Sequence, residues 1–193
     1  MLEDWRAIED DAPVDHAHLV FRAALLALLA WLFLRLLTAR MGAYDVPLLD
    51  VVNLVFHEAG HILWLPFGSF LTSLGGSLTQ VLIPLVCAAA FWTKADRFAA
   101  AAAVWWAGEN LVDLAPYVGD ARALQIVLLG GHTGAEVEGH DWEAILGALG
   151  WLNYDVALAR GFRFAGLSVM LGAMAWAVVV LHAQYAKLRA SSD

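Results

Sequence analysis

Charge is scarce in this chain: 16% of its 193 residues are Asp, Glu, Lys or Arg, against about 25% in an ordinary soluble domain. The basic sign is the scarcer, 11 residues against 19 acidic ones. The basic residues form no stripe, which leaves no electrostatic footprint for nucleic acid. A lone cysteine, Cys87, excludes an intrachain disulfide and reads as a small packing residue inside an apolar run. The first 18 residues lack the basic region and small-residue cleavage site of a signal peptide, so they read as a retained acidic tail in which His16 and His18 are incidental. Internal repeats are absent too, and the chain reads as one domain, 1–193.

What fills the sequence is hydrocarbon. Hydrophobic residues make up 61% of it, and they gather into runs of about 20, the length that crosses a hydrocarbon core of roughly 30 Å. Five spans are expected, at 19–37, 46–66, 71–92, 97–118 and 162–185, giving an all-α, polytopic transmembrane helix bundle. Arg22 and Arg35 stand near the ends of the first span, where long side chains can snorkel, and the tryptophans mostly mark span ends. Gly75, Gly76 and Pro84 predict a kinked or partly extended first half of the third span. The segment 119–160 is long for a connection, mixes apolar and Gly/His/acid-rich stretches, and is expected to be partly structured.

The second span carries His57-Glu58-Ala59-Gly60-His61. A spacing of four puts both imidazoles on one helix face, about 6 Å apart, where they can take adjacent corners of a tetrahedral zinc. Glu58 is offset by one residue. It falls beside the metal, placed to take a proton from a water whose pKa zinc lowers to roughly 7. Ionisable groups in mid-membrane cost roughly 2.5–3.5 kcal/mol each on insertion scales, so three together indicate use. Asn53, four residues before His57, is placed to orient its ring, while Asp50 falls near the interface.

Here the sequence resembles the membrane-embedded zinc peptidases of the site-2 protease type, which carry such a motif in a transmembrane helix. The resemblance covers about residues 46–92, where FHEAGH is followed by a span containing Gly75, Gly76, Ser77, Thr79 and Gln80. It implies zinc as cofactor, Glu58 as catalytic residue, and a third span that approaches the active site and offers backbone to an extended substrate. The family's second metal motif, Asn-x-x-Pro followed by Leu-Asp-Gly, is absent. Its nearest approximation is Asn110…Pro116…Asp120, which on resemblance makes Asp120 the third metal ligand.

Two alternatives stand beside it. Glu109 and Asp113 share a helix face and resemble the Glu-x-x-x-Asp helix of thermolysin-like enzymes, with Glu109 ligating and Asp113 supporting a histidine. His140, with its neighbour Asp141, lies in the long loop, where the competing reading is a turn ahead of Trp142 as an interface anchor.

The expectation is an enzyme of a cell's inner or plasma membrane that hydrolyses a peptide bond in a membrane-embedded or juxtamembrane polypeptide, with the lipid bilayer as its other partner. The rivals are a non-enzymatic divalent-metal-binding membrane protein, a degenerate peptidase homologue acting as a chaperone, and a zinc hydrolase of lipid or another amide. Glu58 discriminates, because a pure binding site needs no carboxylate next to its first histidine.

Overall fold

The computed structural model describes residues 15–39 and 47–190. Most of the acidic tail (1–14) and the first residue of the expected second span lie outside them. The described residues form six α-helices and no strand: α1 (His16–Thr38), α2 (Pro47–Trp64), α3 (Ser69–Thr93), α4 (Arg97–Gly119), α5 (Asp141–Leu149) and α6 (Asp155–Ala190). The fold is all-α. A 3-10 turn, Leu65–Phe67, follows α2, and another, Leu152–Tyr154, precedes α6.

Four helices are long and apolar enough to cross a membrane: α1, α2 with its turn, α3, and α6 with its turn. Their outward faces carry bare hydrocarbon, with Phe21, Leu48, Ile62 and Phe164 all highly exposed. Helix α4, expected as the fourth of five spans, is not among these. Its Glu109, Asn110 and Asp113 lower its hydropathy, and most of its side chains are buried in protein, with Glu109 and Asn110 wholly so. At 36 residues α6 is about 54 Å long, well beyond the roughly 30 Å hydrocarbon core that the expected span 162–185 was matched to.

The chain divides into two compact units. The first draws on residues up to Thr38, Pro84–Gly108 and from Leu167 onward. Its core is Phe98, Ala101, Ala177 and Val180, with Leu25, Leu26 and Trp176 against it. Arg22 does not snorkel: it is buried, its guanidinium donates to the Asp96 carboxylate at 3.0 Å, and it lies over the Phe98 ring. Asp96 is there to receive it because the same carboxylate caps α4, accepting from the Ala99 amide at 3.0 Å.

The second unit, Ala39–Ile83 with Glu109–Gly166, contains the His-Glu-x-x-His helix. Helix α2 is amphipathic in an inverted sense. Asn53, His57 and Gly60 face protein while Val51, Val55, Ile62 and Leu63 face out, as expected where the surrounding solvent is apolar. Helix α3 is continuous through Gly75 and Gly76, so the glycine pair produces no extended segment. It serves close approach instead: a Cβ at Gly60 would overlap the Gly75 carbonyl, and a Cβ at Gly75 would run into the Trp64 side chain. Small residues let helix backbones meet in this way without a hydrophobic drive from water. The contact is locked by Trp64 Nε1 donating to Thr79 Oγ1 at 3.1 Å.

Helix α5 has clear physical ends. His140 caps its start by accepting from the Glu143 amide, and Gly150 ends it in the left-handed conformation at φ 70°. Its apolar face, Trp142, Ile145 and Leu146, packs on Val118, Ala121 and Ala159. Trp142, expected as a membrane-interface anchor, is buried and donates to Ser77 Oγ at 3.2 Å. Arg122 grips the buried Asp155 with two hydrogen bonds of 2.8 and 2.7 Å. Pro116 lies inside α4, and the chain turns only beyond Gly119, with Leu124 at φ 54°.

Replacing Gly60 by Val should therefore lower thermal stability in detergent by about 1–3 kcal/mol, because the obstructing atoms are backbone. Gly172→Ala, where a Cβ would meet nothing within 4 Å, should leave the melting temperature unchanged or raise it slightly.

Candidate metal centre

The two motif histidines stand with ring centroids 4.9 Å apart, and each has one ring nitrogen already engaged. His61 Nδ1 lies 2.8 Å from the Thr72 carbonyl oxygen. A carbonyl only accepts, so Nδ1 carries the proton and Nε2 the lone pair. His57 Nδ1 lies 2.9 Å from Gln80 Oε1. The Gln80 amide is oriented by its other end, where Nε2 donates to Asp113 Oδ2 at 2.8 Å, so Oε1 accepts and His57 Nδ1 must also donate. Both Nε2 atoms thus point their lone pairs inward.

They converge on a carboxylate. Asp141 Oδ2 is 3.2 Å from His57 Nε2 and 3.3 Å from His61 Nε2, and it accepts a hydrogen bond from Tyr117 Oη at 3.1 Å. The Asp141 amide donates back to the same Tyr117 oxygen at 3.0 Å. Three electron-pair donors meet only if something positive lies between them. Ligands about 2.1 Å from a tetrahedral ion are separated by roughly 3.4 Å, close to the spacing found. Among the described residues, His57, His61 and Asp141 are the one such His/Cys/Asp/Glu group with ligand atoms all within 4.8 Å. The donor set fits a borderline cation such as zinc; without metal the space takes protons. Burial pushes the Asp141 carboxyl upward, but the hydrogen bonds of His57 and His61 outweigh it and hold it below its ordinary value.

Behind the histidines runs a chain of supports. Gln80 connects His57 to Asp113, and the Asn53 amide donates to Asp113 Oδ2 at 3.2 Å and to Glu109 Oε2 at 3.0 Å. Asn53 and Asp113 are thus joined to His57 by way of Gln80. Gly76 packs so tightly that a Cβ there would strike both Nε2 atoms. Glu58 lines the adjoining cavity of about 900 Å³ together with both histidines, Tyr117 and Asp141. Among the described residues its carboxylate takes no hydrogen bond or ion pair, leaving its lone pairs available.

The three residues expected as third ligand lie elsewhere. Asp120 is consumed in shaping the loop: Oδ1 accepts from the Gln125 amide at 3.0 Å and Oδ2 from the Ile126 amide at 2.9 Å. Glu109 is wholly buried and anchors Asn53. His140 accepts at Nδ1 from the Glu143 amide at 3.2 Å, and its Nε2 stands 3.4 Å from Asp120 Oδ2. Burial holds the His140 ring below its ordinary pKa despite the acidic neighbours. The carboxylate that does reach the pair belongs to the next residue, Asp141, weighed in the sequence only as the neighbour of His140. Gln80 and Tyr117 had no assigned role. Gln80 alone gave a signal, as an amide inside an apolar span.

Asp141→Ala should abolish stoichiometric zinc binding in a metal titration, whereas Asp120→Asn should keep it and lower thermal stability, since its loop amides lose a charged acceptor. Gln80→Leu should weaken zinc affinity about 10–100-fold, the usual effect of losing the partner that orients a ligating histidine. Compared with protein-family models, with curated proteins and with solved structures, the chain matches none of them.

Proposed function

We propose that this chain is an integral-membrane zinc metallopeptidase of the site-2 protease type, working in a cell's inner or plasma membrane on a membrane-embedded or juxtamembrane polypeptide. The observation that carries the reading is the convergence of His57 Nε2, His61 Nε2 and Asp141 Oδ2, with both Nδ1 protons committed outward. Zinc bound there supplies Lewis acidity, polarising a substrate carbonyl and easing proton loss from water.

The chain's own residues do the rest. Gln80 and the Thr72 carbonyl fix the tautomers, so both rings present lone pairs without reorganisation. Tyr117 holds Asp141 from the side chain and from the backbone amide. Glu58, one residue along α2 from the first ligand and lining the cavity, takes the proton from water as its oxygen attacks the carbonyl carbon. It then returns that proton to the amide nitrogen as the C–N bond breaks. A site meant only to hold a cation gains nothing from a carboxylate in that position.

Glu58→Gln should retain stoichiometric zinc and an unchanged melting temperature while turnover falls about 10²–10⁴-fold. Hydrolysis undiminished in that variant would remove the mechanism. Stoichiometric zinc with no hydrolysis of any peptide, ester or lipid amide by the wild-type protein would favour a metal-binding or chaperone role.

A further inference from the structure

A helical hairpin that ends in water carries polar residues at its turn, and the turn between α2 and α3 departs from that rule. No Asp, Glu, Lys or Arg stands between Glu58 and Lys94. The turn itself reads Leu65-Pro66-Phe67-Gly68-Ser69-Phe70, with Leu65 64% and Phe67 63% exposed. Ile62 and Leu63 continue the same bare surface along α2. Nor is the turn loose. Gly68 takes its positive φ, 96°, and donates from its amide to the Leu65 carbonyl at 3.4 Å. The Gly68 carbonyl accepts from the Thr72 amide at 2.9 Å and from Thr72 Oγ1 at 3.0 Å. Gly68, at the apex, thus has both backbone groups paired within the turn, as an apolar surrounding demands. The Phe67 ring rests on Trp64, with centroids 5.6 Å apart.

What surrounds the turn follows from the segments on either side of it. Leu48–Phe67 and Ser69–Thr93 are each long and apolar enough to cross a membrane. They end within two residues of one another, so their common end marks one surface of the bilayer. Aromatic side chains collect there, as they do at membrane boundaries. Phe67 and Phe70 are exposed in the turn, and just beyond the α5 cluster that Leu74 of α3 joins, so are Trp151 and Tyr154. We infer that the α2–α3 turn, Leu65–Phe70, is seated in the lipid headgroup layer, and that the metal centre lies just beneath it at the edge of the hydrocarbon. The inference rests on the integral-membrane part of the reading above and not on the chemistry. Two contacts set the depth. His61 Nδ1 meets the Thr72 carbonyl at 2.8 Å, and Thr72 stands three residues from the start of α3, about 5 Å at 1.5 Å per residue. His57 Nε2 lies against Gly76, seven residues from that start and about 10 Å along. The headgroup layer is about 5–7 Å thick on each side. Water therefore stands within roughly one or two helical turns of the ligand atoms, not half a bilayer away.

The test places nitroxide labels on the full chain in phosphocholine nanodiscs, which leave both bilayer faces open to water. The lone cysteine is first removed by Cys87→Ser, and Phe67→Cys, Leu65→Cys or Ile62→Cys then supplies one labelling site at a time. Power-saturation EPR with oxygen and a water-soluble nickel chelate gives the depth of each label, calibrated by spin-labelled lipids in the same discs. Labels at positions 65 and 67 should lie within about 5–7 Å of the phosphate plane. The label at position 62 should lie deeper than either, by roughly 5–8 Å. Leu65→Cys keeps the ring contact between Trp64 and Phe67, so a turn disturbed by Phe67→Cys does not decide the result. Nickel access at 65 and 67 equal to that of free label in buffer overturns the inference, because the turn is then in water. A label at 67 deeper than the one at 62 also overturns it, since the turn then points to the bilayer middle. Exclusion of both oxygen and nickel from 65 and 67 overturns it in favour of a protein cover such as a second copy of the chain. Protein that fails to co-elute with the discs overturns the membrane reading along with it, whereas loss of zinc binding or of cleavage bears on the peptidase reading alone.

Discussion

An imidazole can give a lone pair to a metal only from the nitrogen that does not carry its proton, and a fixed acceptor on the other nitrogen settles which one that is. Here the choice is made by acceptors. The Thr72 carbonyl and the Gln80 amide oxygen each claim an Nδ1 proton, and the rest of the second unit is arranged to keep those acceptors in place. Gln80 works only because Asp113 holds the other end of its amide. Asp113 in turn shares Asn53 with the buried Glu109. Removing any member leaves a buried polar group unmatched, which costs about 1–3 kcal/mol wherever it falls.

The Thr72 carbonyl belongs to a helix, and helical carbonyls are normally spent on the amide four residues on. Thr72 lies in the first turn of α3, and its oxygen is brought within reach of His61 by the glycine contact between α2 and α3. Gly60 against Gly75, and Gly76 against the rings, let the two helices come closer than any side chain would allow. The same glycines thus serve packing and chemistry. Their absence of a Cβ, rather than any freedom of backbone angle, is the property being used.

How much of this was legible in the sequence depended on distance along the chain. The His57–His61 face followed from a spacing of four, and the helices followed from apolar runs matched to hydrocarbon thickness. The third member of the cluster lies 84 residues from His57, beyond any periodicity, and the motif resemblance pointed to Asp120 instead. Asp120 had the right residue type after a helix end but was needed for two loop amides. Arg22 and Trp142 were read as interface residues because composition gives depth and not neighbours. Asp96 and Ser77 turned out to be their partners. Glu109, Asn110 and Asp113 marked α4 as polar, but only the packing showed that it is shielded by protein.

Helix α5 begins at Asp141, capped by His140 and seated by Trp142, Ile145 and Leu146. The carboxylate therefore arrives with a helix whose docking surface, Val118, Ala121 and Ala159, is completed only when the start of α6 is in place. Synthesis runs from the N-terminus, so α2 and α3 are made while the residues that seat Asp141 are still untranslated. For that interval the nascent chain carries the two imidazoles without the Asp141 carboxylate that meets them. The three-donor cluster is thus assembled late, by the packing of α5 and the start of α6, and not by the His-Glu-x-x-His helix alone.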